Sequence, residues 1–237
     1  MQDPTDNRKT WLVVLPAMTL PFLASLFYFV FWSEQILARW LYGFTKLFTL
    51  VWPVIAVLLI TKADLPRFKL SDELHRRALP WGILAGIGII GVMWIIMLTP
   101  LREMILGCAP RIRSKAQALG MLDYYWTFGL FLSLIHSLLE EYYWRWFVYG
   151  QLRRVVGNGF AHVLAGVSFA AHHLVVTTQY FPPVWGVVFG ALTGAGGILW
   201  SVLYEKQRTL AGAWICHVLV DLGILSIGHK LLFGSYF

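Results

Sequence analysis

Glu140, Glu141 and Arg145 stand together inside an otherwise apolar stretch, LSLIHSLLEEYYWRWFVYG. An acid at membrane depth costs about 3 kcal/mol or more unless it is partnered, so ionisable groups there point to function. Of the 12 Asp and Glu residues, only Glu140, Glu141 and Asp221 fall inside hydrophobic spans. On a helix, Glu141 and Arg145 are at i and i+4 with the acid on the N-terminal side, the favourable order for an ion pair. That pairing keeps Glu141 ionised and fixes its rotamer. Glu140 lies roughly 100° around the helix from Glu141, away from the Arg145 face. A carboxylate positioned outside the pair is what a general base needs to take a proton from water. A structural ion-pair cluster, or the proton relay of a transporter, suits the same segment, and on this segment alone the readings stay open.

Two further polar groups sit in apolar helices. In GVSFAAHHLVV, Phe169 precedes His173 by four residues and His172 is adjacent; in GAWICHVLVDLGIL, His217 and Asp221 are again i and i+4 and share a face. At ~1.5 Å rise per residue, Glu140 lies about 14 Å, His217 about 12 Å and His173 about 20 Å from the inner ends of their spans. Similar depth would let them share one water-filled cavity. His136, one turn before Glu140, reads as a hydrogen-bonding neighbour or simple packing. His75, His162 and His229 fall in loops or near span ends, where titration in solvent is expected.

The H-E-x-x-H metalloprotease signature and the G-x-S-x-G elbow are both absent. Ser133 and Ser137 lack a base and an orienting acid, and no pair of aspartates occurs on separate spans. A carboxylate plus two histidines remains, which suits activation of water with or without a metal. Glu140, His173 and His217 are the metal candidates, since two histidines and a glutamate would suit zinc; a glutamate acting purely as a base needs none.

The elements that must position these groups follow from composition. At 237 residues, 58% hydrophobic and 13% charged, the chain is far more apolar than a soluble domain. Runs of ~20 apolar residues recur, each able to cross a ~30 Å bilayer core. The expected fold is all-α: a polytopic transmembrane helical bundle of about seven spans, at 11–32, 41–61, 80–100, 124–149, 159–177, 183–204 and 209–234. An eighth, interfacial helix is expected in LREMILGCAPRIRSKAQALGMLD, where Arg102, Arg111, Arg113 and Lys115 forbid spanning. The whole of 1–237 reads as one integral membrane domain, with the motif-bearing core at about 120–230.

The 19 Lys and Arg residues against 12 acids would suggest nucleic acid in a soluble chain. Here they cluster between spans, as topology and anionic headgroups require, and no nucleic-acid partner is expected. Arg8, Lys9, Lys62, Arg67, Lys69, Arg76, Arg77, Arg153, Arg154, Lys206 and Arg208 fall on one side. Arg39, Arg102, Arg111, Arg113, Lys115 and Lys230 fall on the other. The positive-inside rule then favours a cytoplasmic N-terminus. The first span reads as an uncleaved anchor, and Cys108 and Cys216 share no metal or redox spacing.

The three motifs together resemble the CAAX protease and bacteriocin-processing family, also called the abortive-infection family. EEYYWR is similar to its E-E-x-x-x-R motif, Phe169 and His173 to F-x-x-x-H, and HVLVD to H-x-x-x-N/D. The resemblance implies a glutamate-dependent intramembrane endopeptidase related to the Ras-converting CAAX prenyl endopeptidase. It acts on a membrane-associated protein or peptide, in a cell membrane expected to be of prokaryotic plasma-membrane type. It implies that Glu140 activates water with His173, and that His217 and position 221 orient the substrate carbonyl. Glu141 and Arg145 would brace the site, with Phe169 packed beside it. Eukaryotic members typically carry Asn where this chain has Asp221, and an amide donates a hydrogen bond where an ionised carboxylate cannot. The alternative is a non-enzymatic polytopic protein, a transporter or bacteriocin-immunity factor. Gly190, Gly194, Gly196 and Gly197, which interrupt the sixth span, would suit the broken helices of a transporter.

Overall fold

In lipid, every backbone N–H and C=O must be satisfied within its own segment, and helices do this best. A computed structural model of the chain describes residues 4–31, 36–62, 72–118 and 120–234, and no strand occurs among them. The helices are α1 (Pro4–Leu26), α2 (Ile36–Ile55), α3 (Asp72–Ile96), α4 (Leu101–Gly107), α5 (Ala109–Ala118), α6 (Tyr125–Phe131), α7 (Ser137–Glu141), α8 (Gly150–Val156), α9 (Asn158–Tyr180), α10 (Pro183–Gln207) and α11 (Ala211–Phe233). Wider π-helical segments extend or join some of them: π1 (Phe27–Phe31), π2 (Ala56–Thr61), π3 (Leu132–His136) and π4 (Tyr142–Tyr149).

Among the described residues, six helices are long and apolar enough to cross a membrane: Asn7–Phe31, Ile36–Thr61, Glu73–Ile96, Asn158–Tyr180, Pro183–Gln207 and Ala211–Phe233. Large apolar side chains such as Leu12, Trp40, Leu84, Ile95 and Val184 are more than half exposed, as lipid-facing residues are and a water-soluble surface is not. The chain is an all-α, multi-pass membrane protein. The expected span at 124–149 is helical, within the run from α6 to α8, but Glu140, Glu141 and Arg145 set it apart from the six apolar helices. The third span starts earlier than expected, at Asp72 rather than near 80. Glu73 and Arg77 pair at i and i+4, so part of the expected connector is helix. Arg67 and Lys69 lie outside the described residues.

The chain forms two compact units. One comprises residues 1–71 and 141–202. In it, α1 carries Pro16 and Pro21, and a proline has no N–H for the carbonyl four residues back. For Pro21 that carbonyl is Ala17 O, which accepts from Tyr143 Oη at 2.8 Å; Val13 O, three before Pro16, accepts from Trp52 Nε1 at 3.0 Å. At Pro21 a neighbouring side chain thus replaces the lost bond. Gly157 turns the chain from α8 into α9 with φ 75° and ψ 165°, a conformation essentially confined to glycine.

The glycines of α10 do not break it. The helix runs unbroken from Pro183 to Gln207, and Gly186, Gly190 and Gly194 recur every fourth residue against α9. A Cβ at Gly190 would come within 2.5 Å of Leu174, and one at Gly194 within 2.8 Å of Ala170. Small residues at this spacing let two membrane helices approach closely. The broken-span expectation for this segment is therefore corrected: these glycines serve packing.

The other unit comprises residues 72–140 and 203–237, and α11 is its centre. Gly82 and Gly86 on α3 form a G-x-x-x-G contact with it; a Cβ at Gly82 would lie 2.2 Å from Gly212 O. Tyr125 Oη donates to Leu225 O at 2.7 Å, Trp214 Nε1 donates to Leu134 O at 3.0 Å, and the Arg113 guanidinium donates to Leu232 O. Side chains on α5, α6 and α11 thereby hold α11 in register with its neighbours, including π3.

Candidate active site

The second unit builds its site from α7 and α11. Glu140 on α7 is 14% exposed at its side chain, and each of its carboxylate oxygens faces an imidazole. Oε1 is 3.4 Å from His136 Nε2, and Oε2 is 3.7 Å from His217 Nε2. The same His217 nitrogen is 3.7 Å from Asp221 Oδ1, one turn further along α11. His217 is buried, and the Asp221 side chain is 25% exposed. The 3.4 Å contact is a long N–H···O approach, whereas the two 3.7 Å separations exceed a direct bond and are the range a bridging water or substrate oxygen occupies. Glu140, expected to stand away from Arg145 with His136 as a neighbour, has His217 facing it as well. The i, i+4 spacing from His136 was legible in sequence; His217, 77 positions away, was not.

The serines of this segment have another job. Ser137 donates from its hydroxyl to Ser133 O one turn back, which leaves no nucleophile–base pair in this arrangement.

In the first unit, Glu141 and Arg145 are fully buried, and Arg145 Nε lies 3.2 Å from Glu141 Oε2. The guanidinium is clasped between aromatic faces, 4.6 Å from the Phe169 ring centroid and 4.9 Å from that of Trp200. Its Nη2 donates to Gly197 O at 3.4 Å. Such stacking exploits the weak hydration of a planar guanidinium. Trp200 and Gly197 carried no motif; only helix packing reveals them. The pair sits where α7 gives way to π4, and π-helical turns inside α-helices recur at functional sites.

His173 and His172 lie side by side in the same unit, ring centroids 4.1 Å apart, with different neighbours. His173 Nδ1 donates to Phe169 O at 2.9 Å; a carbonyl only accepts, so Nδ1 carries the hydrogen and Nε2 keeps its lone pair when the ring is neutral. His172 instead lies flat on Trp144, with ring centroids 5.6 Å apart and planes 6° from parallel. His173→Ala is expected to remove most activity, and His172→Ala to cost far less. Initial rates of the two purified variants decide this, and a reversed order would mean the wrong imidazole was chosen.

The remaining histidines are better anchored than span-end positions suggested. His162 Nδ1 is 2.7 Å from Ser201 Oγ and its ring stacks on Tyr149. His75 Nδ1 meets Thr209 Oγ1 at 2.9 Å, and His229 packs against Tyr125 and Trp126. Helix packing brings a polar or an aromatic partner to each of the three.

Comparison with curated proteins and with solved structures gives no match for the chain. Residues 122–223 match the family model Rce1-like, described as Type II CAAX prenyl endopeptidase Rce1-like. The resemblance read from the motifs is thereby shown for the segment that holds all three of them: residues 122–223 match the Rce1-like CAAX prenyl endopeptidases, a family of proteases.

Proposed function

We propose that this chain is an intramembrane endopeptidase that hydrolyses a peptide bond of a membrane-associated protein or peptide with water activated by Glu140. The observation that carries the reading is the Glu140 carboxylate held between two imidazoles, with Asp221 beside the second. The match to a protease family over the same residues supports it. A prenylated CAAX-type C-terminus is the substrate class that the family's name suggests.

In this mechanism Glu140 takes a proton from water as the water oxygen attacks the scissile carbonyl carbon. His173, with Nε2 as acceptor, helps hold the water. An ionised carboxylate only accepts. A His217 Nε2 that serves Glu140 and Asp221 therefore carries hydrogen and can donate to the carbonyl oxygen as it becomes an oxyanion. Collapse of the tetrahedral intermediate breaks the C–N bond, and Glu140 returns its proton to the departing amine. Glu141, Arg145 and Phe169 brace the helix segment on which this depends.

Zinc is the alternative aid. Glu140, His173 and His217 are the residues that would hold it, a carboxylate and two imidazoles of the kind zinc takes. Bound zinc would polarise the carbonyl and acidify water. It would also need the lone pair of the nitrogen that otherwise donates to the oxyanion.

Asp221 separates the two modes. As an oxyanion donor the acid works only when protonated, whereas an amide donates at every pH. We expect Asp221→Asn to retain or raise kcat/KM, and chelators to have no effect. An inactive Asp221→Asn, with stoichiometric zinc in the purified protein and restoration by Zn²⁺ after chelation, would shift the mechanism to the metal. The function itself is tested by cleavage of prenylated and unprenylated fluorogenic peptides in proteoliposomes, wild type against Glu140→Gln. Equal rates for the two proteins would remove the endopeptidase reading and favour a non-enzymatic role.

A further inference from the structure

We infer that His136 is a positioning residue for Glu140, pinning one carboxylate oxygen so that the other is the basic one. The inference rests on the endopeptidase reading and adds a residue outside the three motifs. His136 ends π3, and Glu140 follows one turn later on α7. Its Nε2 faces Oε1 at 3.4 Å, while Oε2 faces His217.

A glutamate side chain has three rotatable bonds, and an unpinned carboxylate samples orientations in which neither oxygen addresses the water. A donor on Oε1 removes that freedom. Because an ionised carboxylate only accepts, the donor must be His136 Nε2–H. Oε2 is then the oxygen that takes the proton from water, on the side where His217 and Asp221 meet the substrate carbonyl. His136 is the more open of the two imidazoles, 27% exposed against 6% at the side chain. Water can reach its far side while its near side holds the carboxylate. Misplacement of a reacting group by ~1 Å costs about a hundredfold in rate, so the pin has kinetic weight without touching substrate.

The test compares His136→Gln, which keeps an N–H at similar reach, with His136→Leu, which keeps bulk but no donor. We expect kcat to fall about tenfold to a hundredfold in His136→Leu with KM within about twofold, and His136→Gln to retain at least half of wild-type kcat. Equal kcat in His136→Leu and wild type overturns the inference. So does a His136→Gln as slow as His136→Leu, or a loss confined to KM. A second readout does not depend on turnover: in ¹⁵N-histidine-labelled protein, the nitrogen resonances lost in His136→Gln should include a hydrogen-bearing Nε2. A bare Nε2 there overturns the inference even if the protein is an active protease. A hydrogen-bearing Nε2 in a protein with no proteolysis would leave the contact standing and sink only the function.

Discussion

Glu140→Gln is expected to abolish turnover while leaving the fold intact. The substitution keeps the size and hydrogen-bonding outline of the side chain but replaces the basic carboxylate with an amide, which cannot accept a proton from water near neutral pH. Loss of a general base typically costs about 10²–10⁴-fold in rate. The neighbours should tolerate the change, since one imidazole can donate to the amide oxygen while the other, with a bare ring nitrogen, accepts from the amide N–H. The measurement is kcat/KM on a fluorogenic peptide in proteoliposomes, paired with thermal unfolding in detergent. Full activity with an unchanged Tm would end the assignment of Glu140 as base. Glu141→Gln, in contrast, should act through stability.

The second large effect is expected at Arg145. Its charge and that of Glu141 are both buried, in contact at 3.2 Å. Deleting one partner of such a pair costs about 3–5 kcal/mol because the other is left as an uncompensated buried charge. Arg145→Ala also vacates the slot between Phe169 and Trp200, giving up cation–π contacts worth about 0.5–2 kcal/mol. Expression and Tm should therefore fall together with activity. Arg145→Lys keeps the charge but loses the planar stacking and the Nε contact, and should lie between. If Arg145→Ala unfolds at the wild-type temperature and loses only turnover, a direct contact with substrate replaces the structural role.

Much of this was legible because membranes simplify the code. Runs of ~20 apolar residues have few alternatives to helices, so the all-α, multi-pass architecture followed from hydropathy. Acids and imidazoles at membrane depth stood out for the same reason: lipid penalises them. The i, i+4 pairs are local geometry, and Glu141–Arg145 and His217–Asp221 both formed as their spacing predicts.

Local periodicity has no access to what approaches from another helix. It offered Glu140 only His136, one turn back on its own helical run, whereas α11 brings His217 to the other oxygen. It read the glycines of α10 as breaks, since a glycine weakens an isolated helix. Against α9 the same missing side chains permit contact, and an unbroken helix results. Nor did it find Trp200 and Gly197, which hold Arg145 only because α10 packs where it does. A charged group buried in lipid or protein needs its counterpart within a few ångströms. The sequence by itself determined which residues had that need, and in which helices they lie. Which residue from another helix meets it depends on the close packing of those helices, and tertiary structure alone decided that.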